Sequence, residues 1–155
     1  MKTNFIIGKK GLIDELYNLA LSNFKVYGLI GGKDIFKPTS VYRCYFNLRN
    51  DLQYRDIFDS HNEFHKLHPE LGFVISPSES SIIFKRMKKA GEKPVGVFHS
   101  HRYHGTFPTS LDIKTHFDDS LLCYILGVKD VSKPELKVFS IKEKKWEELI
   151  YDEES

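Results

Sequence analysis

Two histidines and a carboxylate in the stretch 95–112, VGVFHSHRYHGTFPTSLD, are the residues of this 155-residue chain best suited to chemistry. The first half of the stretch, entered through Pro94, has the character of a buried strand. Alternate side chains of a strand share a face, so Val97, His99 and His101 project one way and Gly96, Phe98 and Ser100 the other. A loop containing Gly105 and Pro108 follows, and Thr109, Ser110, Leu111 and Asp112 open a helix. That loop is long enough to bring the Asp112 carboxylate back to the two imidazoles. Two histidines and one carboxylate around an open fourth position are, in chemical type, a catalytic zinc arrangement. Plainer readings exist for the same residues. A histidine pair on a strand is more often packed or hydrogen-bonded than metal-bound, and Thr109 with Asp112 three residues on fits a helix-capping pattern. Ser100, facing away from the ligands, reads as structural support and not as a nucleophile.

The elements that must position this stretch can be traced along the chain. Asn4 to Gly8 (NFIIG) forms a short edge strand, and Leu12, Ile13, Leu16, Leu19 and Ala20 recur at helical spacing over about 10–22. KVYGLIGGKD is an apolar strand ending in a glycine pair, and PTSVYRCYFNL (38–48) is a second strand rich in β-branched and aromatic residues. Residues 49–72 carry mixed charge, one or two short helices, and His61, His65 and His68, read as surface residues. HNEFH is not the HExxH signature, because Asn62 follows the first histidine. Phe73, Val74 and Ile75 form a short strand. Ser76, Pro77 and Glu79 make a capping box for a helix with Ile82, Ile83, Met87 and Ala90 on its buried stripe and Gly91 at its end. Lys85, Arg86, Lys88, Lys89 and Lys93 form a solvated basic face. Residues 113–119 continue the helix after Asp112, with His116 one turn on and His104 in the loop as rival ligands. LLCYILGV (121–128) is a central strand, and 135–142 with 145–151 is a closing hairpin around Glu143-Lys144. The acidic tail 152–155 is expected to fray.

Composition bounds the function. With 41% hydrophobic and 14% aromatic residues the chain is globular, and 155 residues suit a single domain, 1–155. A net charge of +2 does not call for a nucleic-acid partner. Cys44 and Cys123 each sit in an apolar run, form no CxxC, and read as buried free thiols of a reducing compartment. No apolar run is long enough to span a bilayer and no secretory segment is evident, so the expectation is a cytoplasmic protein without a membrane partner.

The pattern His-x-His-x10-Asp of His99, His101 and Asp112, with its run-up PVGVFHSH, resembles the JAMM (MPN+) metallopeptidase motif, and the likeness extends over most of the chain. The resemblance implies an α/β fold of MPN/JAB type (cytidine-deaminase-like), a mixed curved sheet flanked by helices. It also implies Zn2+ held by His99, His101 and Asp112 at the end of the histidine-bearing strand. The implied activity is zinc-dependent hydrolysis of a peptide or isopeptide bond at the C-terminal tail of ubiquitin or a ubiquitin-like protein. The alternative is a non-catalytic MPN-like protein-interaction module. Thr109 stands at the family's hydroxyl position, usually serine, with Ser110 beside it. Arg102 stands where proline commonly follows His-Ser-His. Aligning Gly28-Leu29-Ile30 with the family strand E-x-x-G-L-L-x-G puts Lys25 at the catalytic glutamate, the group that takes a proton from the attacking water and passes it to the leaving amine. A protonated lysine has no acceptor lone pair for that role. Insertions near the site often contact substrate in this family, which gives 49–72 an expected binding role. An oligomer or a completing partner subunit is open.

Overall fold

A computed structural model describes residues 5–116 and 118–155. The first strand, β1 (Phe5–Gly8), leads to α1 (Leu12–Ser22), whose Leu12, Leu16 and Ala20 lie on one buried stripe. β2 (Tyr27–Asp34) and β3 (Lys37–Arg43) form a hairpin. Then come α2 (Leu52–Asp59), α3 (Glu63–Leu67), α4 (Pro77–Lys89), β4 (Lys93–His101), α5 (Ser110–Thr115), β5 (Leu122–Gly127), β6 (Glu135–Lys142) and β7 (Lys145–Glu153).

The strands make one seven-stranded sheet in the order β1-β7-β6-β5-β4-β2-β3. The β4–β5 and β1–β7 pairs are parallel and the others antiparallel. Backbone bonds from Ile7 N to Phe36 O and from Lys9 N to Pro38 O draw the two edges together, so the sheet nearly closes into a barrel. One apolar cluster fills the concave side with Ile6, Leu16, Ile30, Phe98, Tyr124 and Val138. On the other side Ile83 and Met87 of α4 pack against Tyr27, Leu29, Tyr42 and Cys44. The expected α/β architecture, a mixed curved sheet flanked by helices, is what the chain adopts.

Local expectations fail where a side chain takes over a backbone partner. The strand expected over 38–48 stops at Arg43, since the Tyr45 and Phe46 amides donate to the Glu79 carboxylate at 2.8 and 3.2 Å. Glu79 therefore does not close the capping box; Ser76 alone caps α4. The strand expected at 73–75 reduces to an isolated bridge between Asn47 and Ile75. Ile82 and Ala90 are exposed, because only the i, i+4 pair Ile83 and Met87 faces the sheet. The tail is ordered as far as Glu153: Ile7 pairs with Asp152 and Gly8 with Glu153. The Glu153 carboxylate then accepts from Gly11 N and Ile13 N at 3.2 and 2.5 Å, capping α1 from the far end of the chain. The expected helix over 113–119 ends at Thr115; Asn4 and Phe117 lie outside the described residues. Both cysteines are buried and free, as expected.

Candidate metal centre

β4 runs between β2 and β5, with His99 opposite Tyr27 on one side and Ile125 on the other. Held from both sides, His99 and His101 are only 2% and 4% exposed. The loop after β4 turns back over β5 because Gly127 has no side chain; a Cβ there would fall 1.9 Å from Thr106 Oγ1. This return places the Gly105 carbonyl 2.9 Å from His101 Nδ1. A carbonyl only accepts, so Nδ1 carries the proton and Nε2 presents a lone pair.

Asp112 is aimed by the start of α5. Thr109 Oγ1 accepts from Asp112 N at 3.1 Å, and Asp112 Oδ2 accepts from Thr109 N at 3.0 Å, a reciprocal capping box. The capping and ligand readings of Asp112 are therefore both realised. Its Oδ2 lies 2.9 Å from His101 Nε2 and its Oδ1 3.2 Å from His99 Nε2, while the two imidazole nitrogens are 3.0 Å apart. Tetrahedral zinc with bonds of about 2.0–2.1 Å separates its ligand atoms by about 3.3 Å, close to the 3.0 Å between the imidazole nitrogens and to the 2.9 and 3.2 Å from each of them to one carboxylate oxygen. With the His101 proton on Nδ1, at most one hydrogen, on His99, is left among the two imidazole nitrogens and the carboxylate, a donor set suited to a cation. Among the described residues this is the one group of three such side chains placed to hold a metal.

Protonation states agree with the geometry. Burial pushes the His99 imidazole down to about 4, against the pull of Asp112. Burial raises Asp112, but the neighbouring imidazoles outweigh it and hold the carboxyl well below its ordinary range. At neutral pH the site thus offers a neutral His99 and an ionised Asp112, the forms that bind metal.

The other candidates fall around this centre. Lys25 is half-buried just before β2. Its Nζ donates to Ser100 O at 2.8 Å, and burial pushes its pKa down to about 8 despite the attraction of Asp112. Ser100 is structural, its Oγ accepting from Val26 N at 3.1 Å. Arg102, at the proline position, donates to Asn23 O and Phe24 O and ties the histidine loop to the segment that delivers Lys25. Thr109 borders the centre, whereas Ser110 is exposed and its Oγ lies 2.8 Å from His61 Nε2. His116 spends Nε2 on Leu121 O, and neither it nor His104 joins the ligand group.

Sequence reasoning missed the wall supplied by 49–72. His65 was expected at the surface but is buried; Asn62 caps α3 and takes both its backbone N–H and its Nδ1 at 2.9 Å. Behind it Arg49, 1% exposed, donates to Leu71 O and His65 O at 2.7 Å and covers the Phe58 ring. The cap signature Asn62-x-x-His65 was the available signal. Phe58, His65 and Leu71 line one side of a small cavity of about 30 Å³ on the Lys25 side of the centre. On the His99 side an apolar groove of about 280 Å³ runs between Phe73, Ile75, Phe84, Val97 and Leu121.

Comparison with known proteins identifies the class. The profile of prokaryotic homologs of the JAB domain matches residues 26–142, and the chain belongs to that family. The match begins one residue after Lys25. A solution structure of a Desulfitobacterium hafniense protein is similar at 26% identity and TM-score 0.72, covering 97% of this chain and 93% of that one. One from Salinibacter ruber is similar at 15% identity and TM-score 0.61, covering 95% and 92%. A JAB1/MPN domain protein from Archaeoglobus fulgidus shares the fold at 16% identity and TM-score 0.51, covering 95% and 97%. No curated protein gives a significant match. Among the described residues no helix is long and apolar enough to cross a membrane.

Proposed function

We propose that the chain is a JAMM-type zinc hydrolase whose proton-transfer step is attenuated, acting on a peptide or isopeptide bond at the C-terminal tail of ubiquitin or a ubiquitin-like protein. The observation that carries this reading is the convergence of His99 Nε2, His101 Nε2 and the Asp112 carboxylate within 2.9–3.2 Å of one another. Zinc bound there would polarise a carbonyl and acidify water. The protein's own groups do the rest. The His101–Gly105 bond and the Thr109–Asp112 capping box fix the ligands before substrate arrives. Thr109 accepts through Oγ1 and keeps its own O–H to steady negative charge that develops on the substrate oxygen. The apolar groove beside His99 gives an extended chain a surface to lie on.

Lys25 is the departure. As an ammonium it cannot take a proton, and general acid–base help is worth about 10²–10⁴ in rate. Its bond to Ser100 O also favours a second reading, a non-catalytic MPN-like interaction module that retains the metal for structure.

Cleavage of a ubiquitin-like fusion, with and without chelator, separates the two. The hydrolase reading predicts slow, chelator-sensitive cleavage that rises about 10²–10⁴-fold in Lys25→Glu. No cleavage by either protein assigns the chain to the module class. Slower cleavage by Lys25→Glu would make Lys25 part of the mechanism and refute the role given to it here.

A further inference from the structure

We propose that Lys25 is a carboxylate anchor: the small cavity beside the metal centre receives a free peptide C-terminus and holds it in preference to the uncleaved amide. This inference rests on the metal-centre reading above. The Lys25 ammonium has three N–H donors, and the bond to Ser100 O uses one of them and fixes the side chain on the cavity wall. The same cavity is lined by His101, Tyr103, Thr109 and Asp112. The Phe73 ring, 5.8 Å from Nζ, covers the ammonium with a π-face. Asp112 is already engaged by Thr109 N, His99 and His101, and among the described residues no carboxylate forms an ion pair with Lys25. The two remaining ammonium donors, attracted by Asp112 but not hydrogen-bonded to it, are thus left to a ligand in the cavity.

Charge specifies that ligand, and the pocket has room for a small group such as a carboxylate on a glycine-like carbon. A carboxylate answers Lys25 with charge-assisted hydrogen bonds, whereas an amide offers one neutral acceptor and turns an N–H toward the ammonium. A glutamate at this position would reverse the preference by repelling the acid. Since hydrolysis of a peptide bond releases a carboxylate, Lys25 makes this centre keep the cleaved terminus more firmly than the intact bond.

The test is titration of the zinc-incubated full chain with N-acetylglycine and with N-acetylglycinamide. Binding is followed by NMR shifts of Ser100, Thr109 and their neighbours, with zinc content measured in parallel. The acid should bind about tenfold more tightly than the amide. The preference should fall below about twofold in Lys25→Met and invert in Lys25→Glu. Equal binding of acid and amide by the zinc-containing parent, or a preference that survives in Lys25→Met, overturns the anchor while leaving the metal centre intact. A Lys25-dependent preference in protein that takes up no zinc supports the anchor and overturns the metal-centre reading instead.

Discussion

Asp112 uses each of its oxygens differently, one facing His99 alone and the other shared between His101 and the Thr109 amide. Its aim therefore depends on Thr109. Thr109→Ala should cost about 1 kcal/mol of stability through the lost cap and weaken zinc binding about tenfold in chelator competition, with Thr109→Ser restoring both. The plain side of the same site is His65. Burial, aided by His104 and His61, pushes its pKa down to about 4 from an ordinary 6.5. The folded state then binds fewer protons than the unfolded state between those values, so His65 makes stability fall as pH drops from about 6.5 toward 4. Urea unfolding of metal-free protein at pH 7 and 4.5 should show that loss, and His65→Gln should reduce it. The ligands were legible because strand alternation and a ten-residue spacing survive in one dimension. His65 was legible only in part, because Asn62 signals its cap but nothing in its own neighbourhood says that His104 of the histidine loop will stack on it.

Among the elements, the segment 44–76 departs furthest from its sequence reading. Its helices are short and several of its apolar residues, Tyr45, Phe46, Leu52 and Leu67 among them, are exposed, so side-chain bonds to the backbone organise it where a buried periodic face would normally do so. Arg49 is the hub, serving Leu71 O, His65 O, Asn50 and Asp59. Arg49→Met should leave the two carbonyls without donors and cost about 3 kcal/mol, with faster proteolytic nicking between 52 and 71 as the local signature. β4, by contrast, is legible in full: its burial on both faces follows from a central place between β2 and β5, and that place requires the apolar run that its sequence shows.

For the whole molecule, the decisive contacts join the chain ends. β1 pairs in parallel with β7, and Glu153 caps α1 across a separation of 140 residues or more. No local pattern announces such a pairing, and the acidic tail looked like a solvated end. Removing residues 152–155 should lower stability by about 1–3 kcal/mol in denaturant unfolding, because it unpairs Ile7 and Gly8 and uncaps the helix. The nearly closed sheet that these contacts complete is the frame on which β4 presents its histidines to α5, and the central claim is that this frame carries a metal. Elemental analysis of the purified chain after incubation with zinc, beside the His99→Ala/His101→Ala double variant, tests it most directly. The account predicts near-stoichiometric zinc in the parent and none held by the variant. A parent that takes up no zinc, or a variant that retains it, would contradict the assignment of the centre.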